Sequence, residues 1–371
     1  MKDQMTLRDT RIEIDLSKLS KNIELIKDMV GPEVAVMAVV KANGYGLGAL
    51  EIAPTIMESG ATYLAVATLS EAVALRDAYA DYPLFILGHT PDRFLNIVVE
   101  KGICQTIFSF DQAKILSEEA TKLGLKAKVH IKVDTGFHRL GKAPTDEYAE
   151  EIKEIFFLPN IEVEGIFSHL ALASEEENEK QFILLCDFID KLESMGLEFK
   201  YKHIADSIAL VDYPEYRMNM VRPGALIYGM RGFHIGFLPV EPILTFKSAI
   251  SQIHSIKAGE GVGYDYLWRA EKDSIIATIP FGYADGYPRQ MRDKGFVVIN
   301  GLKCPIIGVL CMDQVTVDVT NVPDVKEGSE AIIYGDSKDG SMTIQEACDL
   351  IGTNKNDIIC RLTARAPKVY K

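Results

Sequence analysis

The sequence predicts an α/β protein: a (β/α)8 TIM barrel followed by a mostly antiparallel β domain. Two observations predict it. Short apolar runs alternate with amphipathic helical stretches over the first two-thirds of the chain, the pattern of parallel strands joined by crossover helices. About eight such units over roughly 225 residues match a closed barrel. After Leu238-Pro239-Val240-Glu241-Pro242 the runs become strand-like and are joined by Gly, Asn and Asp turns, as in antiparallel β structure. A doubly wound open sheet is the alternative for the first part.

The barrel strands are expected at 34–41, 63–68, 84–88, 105–109, 128–134, 163–169, 201–206 and 218–223. Helices are expected at 69–80, 110–123, 145–156 and 177–195, with Ser70–Glu71 and Ser109–Asp111 as start signals and Gly124 and Gly196 as stops. The second domain has strand-like runs at 243–256, 274–281, 295–300, 304–309, 315–319 and 331–334, and helical signal only near 344–351. Segment 11–16 reads as a strand that precedes the barrel and packs on the β domain. The expected organisation is therefore 1–13 as an N-terminal strand, 14–237 as the barrel and 238–371 as the β domain.

A chain of 371 residues is too long for one ordinary core. Hydrophobic content of 47% with 25% charged residues fits a soluble enzyme. The net charge of -13 argues against non-specific nucleic-acid binding and against an anionic membrane surface. An anionic cofactor would need a local basic site. Six cysteines without a C-x-x-C pair read as reduced cysteines of a cytosolic protein. The N-terminus has no signal-like apolar core, and no apolar run reaches the roughly 18 residues that span a bilayer.

The stretch Val39-Val40-Lys41-Ala42-Asn43-Gly44-Tyr45-Gly46-Leu47-Gly48 is the most informative for chemistry. A lysine ending a buried strand is costly unless its ammonium is held or it works as a neutral amine. A lysine that bonds pyridoxal phosphate needs that setting, with close-approach backbone beside it. The glycines could also suggest a dinucleotide loop, but the last falls one residue short of G-x-G-x-x-G. A strand-capping lysine before an ordinary turn is the plain alternative. Barrel enzymes place their chemistry at the C-terminal strand ends, and the unusual polar residues fall there: Lys41, Asp134 before Thr135-Gly136-Phe137-His138-Arg139, His169, Asp206-Ser207 and Arg222. Singly, His169 reads as a satisfied buried histidine, Arg222 as an ion-pair partner and Ser207 as a helix N-cap. Together on one rim they read as a site.

Six motifs in order carry a resemblance: Val40-Lys41-Ala42-Asn43-Gly44-Tyr45-Gly46, Lys132-Val133-Asp134-Thr135-Gly136, His203-Ile204-Ala205-Asp206-Ser207, Val221-Arg222-Pro223-Gly224, Gly282-Tyr283-Ala284-Asp285-Gly286 and Cys311-Met312-Asp313. Over nearly its whole length the chain resembles the alanine racemase family of pyridoxal-phosphate enzymes. It departs from the family at Leu47 (usually histidine), Tyr264-Asp265 (tyrosine-glycine), Asp206 (asparagine) and Asn356 (tyrosine). The last departure resembles the racemase domain of VanT-type serine/alanine racemases of vancomycin resistance. That likeness implies D-amino acids for modified peptidoglycan precursors. It also implies a cytoplasmic catalytic domain, the soluble part of a membrane-anchored protein.

The resemblance implies a role for each site residue. Lys41 would hold the cofactor and act as one base, and Tyr264 as the other, delivered across a head-to-tail homodimer. A tyrosine titrating near 10 needs cationic or hydrogen-bonding support, for which His169 and Arg222 are the candidates. Arg222 would face the pyridine nitrogen. It would donate to that nitrogen without protonating it, and so keep the ring a weak electron sink; decarboxylases of the same layout place a carboxylate there. Ser207, Tyr45 and the N–H groups of Gly224 and Ala225 would hold the phosphate. Arg139 would contact the cofactor's phenolic oxygen and the substrate carboxylate, oriented by a carbamylated Lys132. Met312 N–H would bind the substrate carboxylate, and Tyr283 and Asp313 would line the entry. Asn356 in place of a tyrosine ring opens room for serine beside alanine. An ordinary alanine racemase and a non-catalytic cofactor-binding module are the alternatives. No metal is expected, because the seven histidines form no ligand pair.

Overall fold

A computed structural model describes residues 7–371. Of the segment 1–13 expected as an N-terminal strand, residues 1–6 lie outside the described residues. The chain divides into two compact units. One comprises Leu19–Gly44 and Ala49–Val240; the other comprises the segment up to Lys18, Tyr45–Gly48 and Glu241–Lys371. The division falls at 240/241, and a short stretch inside the lysine motif groups with the second unit.

The first unit is a parallel eight-stranded barrel. Its strands lie in the order Tyr201–His203, Ile161–Phe167, Ala127–Lys132, Cys104–Ile107, Leu84–Ile86, Tyr63–Val66, Ala35–Val39 and Met220–Val221. The sheet nearly closes on itself: Arg222 N–H, just past the last strand, donates to Ala205 C=O at 3.0 Å. Leu84–Ile86 and Tyr63–Val66 are buried at every position, which explains continuous apolar runs rather than alternation. Most strands are shorter than expected because their C-terminal residues leave the ladder and form the rim; the run expected at 163–169 keeps its length as Ile161–Phe167. Helix Leu69–Ala78 is capped by Thr68, whose hydroxyl accepts from Glu71 N, so Ser70 sits inside the helix rather than starting it. Ser109 caps Phe110–Leu123, and Gly124 ends it with φ 65°.

The second unit is built on a nine-stranded sheet. Its order is Gln252–Ile256, Ser274–Ile279, Val315–Asp318, Leu302–Ile307, Phe296–Ile299, Glu330–Tyr334, Leu244–Ala249, Arg11–Ile14 and Lys368–Tyr370. Every neighbouring pair is antiparallel except Arg11–Ile14 with Lys368–Tyr370. The single run expected at 243–256 is two strands. The chain changes partner at Ile250, from Glu330–Tyr334 to Ser274–Ile279. Phe246, Phe281, Tyr287 and Tyr334 pack ring on ring in the core, with centroids 5.2–6.2 Å apart; each such ring contributes about 1.5–3 kcal/mol by leaving water. A hairpin of Gly261–Val262 and Trp268–Arg269 packs through Val262 and Trp268 on Ile276 and Ile307. A second C-terminal helix, Lys355–Cys360, follows Ile344–Ile351. Its readable signal was Asn354, whose side chain accepts from Asp357 N at 3.0 Å. Among the described residues, no helix is long and apolar enough to cross a membrane.

Candidate active site

Lys41 follows strand Ala35–Val39 at the barrel rim. Immediately after it the backbone runs left-handed, with Ala42 at φ 53°, Asn43 at 55°, Gly44 at 62°, Tyr45 at 56° and Gly46 at 82°. Each non-glycine residue there costs about 1–2 kcal/mol. Hydrogen bonds hold the turn, among them Ala42 N to Glu71 Oε1 at 2.6 Å, Gly44 N to Val40 O at 2.8 Å, and Ala49 N to Asn43 Oδ1 at 2.9 Å. A strained turn so strongly determined is typical of a functional site. Tyr45 is buried and belongs to the second unit.

Arg222 is the best-determined side chain of the rim. Its Nη1 donates to His203 Nδ1 at 2.8 Å. Its Nη2 donates to Ser168 O at 2.9 Å and to Ile204 O at 3.0 Å, and lies 3.4 Å from His169 Nδ1. Among the described residues no carboxylate lies within ion-pair distance of it. Burial lowers its pKa to about 10, while Asp206 opposes that shift. The same environment holds His169 down at about 3, by burial first and then by Arg222, Arg139, Lys132 and Lys41. Lys132 is buried and brought down to about 7, by desolvation and then Arg222. Its ammonium reaches the Val133 carbonyl at 2.5 Å and the Phe167 face at 5.5 Å. Arg139 is exposed and lies over Phe137 at 4.3 Å, and Phe137 in turn meets His169 at 4.9 Å. Asp134 shapes that loop by accepting from Gly136 N at 3.1 Å and His138 N at 3.0 Å. The barrel thus gathers Lys41, Lys132, Arg139, His169 and Arg222 into one strongly cationic end of an acidic chain, a local field that attracts anions.

Ser207 and Gly224 also meet. Ser207 Oγ accepts from Gly224 N at 2.8 Å and from Leu226 N at 3.3 Å. With both lone pairs taken, the hydroxyl proton is left to donate outward. Gly224 N–H, expected to face a phosphate, is spent on Ser207 in this arrangement, with Ala225 beside it. Arg222's contacts leave its Nε–H for a further acceptor. Outward hydroxyl and guanidinium donors amid cations fit a phosphate ester carrying a ring nitrogen.

The remaining expected residues belong to the second unit. Tyr264 is exposed, in the turn of the Gly261–Val262 hairpin, where Asp265 (φ 58°) and Tyr266 (φ 45°) also run left-handed. Tyr283 N donates to Cys311 O at 3.3 Å and Ala284 N to Met312 O at 3.1 Å. Only glycine fits at Gly282, where a Cβ would collide with the carbonyls of Cys311 and Met312. Met312 is exposed. Asp313 pairs with Arg365 at 2.6 Å, and the Arg289 guanidinium lies 5.4 Å from the Tyr283 ring. Asn356 is exposed on helix Lys355–Cys360. Three residues given no role from the sequence are prominent here. Asp285 is fully buried and binds Arg8 at 2.6 Å and Gly282 N at 3.0 Å. In the barrel, His203 and His130 are fully buried beside Arg222. A histidine between Val129 and Ile131 was the available signal for the latter.

Comparison with known proteins gives one consistent result. The family models "Alanine racemase, N-terminal domain" and "Alanine racemase, C-terminal domain" match residues 14–232 and 243–370. The chain is 41% identical to an alanine racemase of Clostridium tetani over 98% of this chain and 96% of that one. It is 38% identical, with the same coverage, to alanine racemase 1 of Clostridium acetobutylicum. The structure matches an alanine racemase of Clostridium difficile with TM-score 0.94 and 34% identity, covering 99% and 97% of the two chains. It matches an alanine racemase of Bacillus anthracis with bound L-Ala-P with TM-score 0.89 and 31% identity, covering 99% and 96%.

Proposed function

Because the chain belongs to the alanine racemase family, whose enzymes depend on pyridoxal phosphate, we propose that it is a two-base alanine racemase working as a head-to-tail homodimer. The carrying observation is Lys41 at the same barrel end as Arg222, a buried arginine held by neutral acceptors alone. When bound, pyridoxal phosphate withdraws electrons from the amino acid's α-carbon and acidifies its C–H bond. Lys41 would hold the cofactor covalently, and its free amine would move the α-proton on one face. Tyr264 of the partner subunit moves it on the other. Arg222 would donate an N–H to the ring nitrogen of the cofactor and, staying charged, would not protonate it. His169, neutral by burial, links Arg222 to the phenol. The Ser207 hydroxyl, itself held by the Gly224 N–H, would bind the phosphate together with the Ala225 N–H.

Arg139 and Met312 N–H orient the substrate carboxylate, and Tyr283 and Asp313 line the approach. The lowered pKa of Lys132 supports its carbamylation: a neutral amine attacks carbon dioxide, an N–C bond forms and a proton leaves. The resulting anion orients Arg139. Among the described residues the six cysteines form no disulfide, which supports a reducing, cytoplasmic setting.

The relatives are alanine racemases, so alanine is the substrate taken forward. The VanT-type likeness rests on Asn356 and supports a narrower reading, L-serine as a second substrate. The test is direct. Protein purified with pyridoxal phosphate should interconvert L- and D-alanine, and Tyr264→Phe should lower kcat by about 10²–10⁴-fold. Holoprotein that decarboxylates or leaves alanine unchanged refutes the reading.

A further inference from the structure

Arg222 does not end the buried polar chain in the barrel. His203 Nε2 lies 2.8 Å from His130 Nδ1, 73 residues away in sequence. Both rings are fully buried, and burial holds both neutral: it presses His130 to about 3 and His203 well below the ordinary value. His203 stacks on Phe167 at 4.8 Å with an interplanar angle of 7°, and His130 lies against Phe85 at 4.7 Å. The rings are therefore held in place, and only their protons remain to be assigned.

Arg222 assigns them. A guanidinium only donates, so His203 Nδ1 must accept. A neutral ring then carries its proton on Nε2 and donates to His130 Nδ1. His130 in turn carries its proton on Nε2, which has no hydrogen-bond partner among the described residues. Cys104, His130 and Glu164 offer ligand atoms within 4.8 Å of one another, an arrangement that invites a metal reading. The proton order refuses it. A metal on His130 Nε2 would put the proton on Nδ1, make His203 Nε2 an acceptor and turn His203 Nδ1–H against the Arg222 N–H. Glu164 is also taken, by Tyr63 Oη and Lys128 Nζ at 2.6 Å each.

We propose that His130 is a positioning residue: by accepting from His203 Nε2–H it fixes the tautomer and ring orientation of His203, which aims the Arg222 guanidinium. The effect on catalysis rests on the proposed contact of Arg222 with the cofactor ring; the proton order does not.

The test compares His130→Asn, whose side-chain oxygen falls where Nδ1 stands, with His130→Leu, which has no acceptor. In ¹⁵N-histidine-labelled holoenzyme, wild-type His203 should show the Nε2–H tautomer, retained in H130N and broadened or lost in H130L. H130L should lower kcat about tenfold with KM for alanine within about twofold, and shift the visible band of the bound cofactor; H130N should restore both. If H130L does not fold, His130→Gln takes its place, since its oxygen falls at Nε2. Wild-type His203 protonated on Nδ1, H130L matching wild type, H130N as impaired as H130L, or one tightly bound zinc lost in C104S would each overturn the inference. Wild-type enzyme without racemase activity would instead sink the functional reading and leave the tautomer result standing.

Discussion

Two buried charges in this molecule are treated in opposite ways. Asp285, in the β-rich unit, is fully buried and compensated: Arg8 binds both its oxygens, at 2.6 and 3.3 Å, Gly282 N–H donates to it, and Arg365 lies 3.9 Å away. Arg222, in the barrel, is also buried, yet its partners are two carbonyls and the ring nitrogens of two neutral histidines. Lys132 nearby likewise has no carboxylate within ion-pair distance among the described residues. A compensated charge holds a scaffold. Buried cations without a counter-charge cost stability and create a local field that attracts anions.

That contrast can be broken. Arg222→Gln should lower kcat by about 100-fold and cost only about 1–2 kcal/mol of stability: buried acceptors at Ser168, Ile204 and His203 lose donors, but no opposite charge is orphaned. Denaturant unfolding beside a steady-state assay checks this; a large stability loss would make Arg222 scaffold after all. Asp285→Asn should do the reverse. It should cost about 3 kcal/mol in unfolding free energy, tempered by the partial exposure of Arg8, and leave kcat of the folded enzyme little changed. Asn356→Tyr should shift the serine-to-alanine ratio of kcat/KM about tenfold toward alanine; an unchanged ratio removes the case for serine. The smallest effect concerns Lys132, whose folded pKa of about 7 lies below its ordinary 10.5. The unfolded chain then holds the extra proton between those values, so this group makes stability rise with pH from about 7 to about 10.5. In carbon dioxide-free buffer, apo Lys132→Met should lose that slope and be more stable than wild type below pH 7. Parallel slopes would show that Lys132 finds a counter-charge.

The barrel was legible because its signals are local. Apolar runs of strand length, Gly124 as a helix stop and Ser109 as a cap each act within a few residues. The cationic rim was legible because barrel strands expose their C-terminal ends on one side, so Lys41, His169 and Arg222 could be grouped without knowing any distance. The break at Ile250 was missed because an apolar run says nothing about which strand it pairs with. Helix Lys355–Cys360 was missed because it is only six residues long and leans on its Asn354 cap.

By itself, then, the sequence determined the α/β class, the change of architecture near residue 240, the lysine at a strand end and the arginine on the same rim. Tertiary structure alone decided that Arg11–Ile14 lies between Leu244–Ala249 and Lys368–Tyr370, that Arg8 closes on Asp285 across 277 residues, and that His130 meets His203. The physical reason is range. Periodicity and capping act between neighbours along the chain, whereas hydrogen-bond direction and charge compensation are settled by groups that only the folded backbone brings within 3 Å.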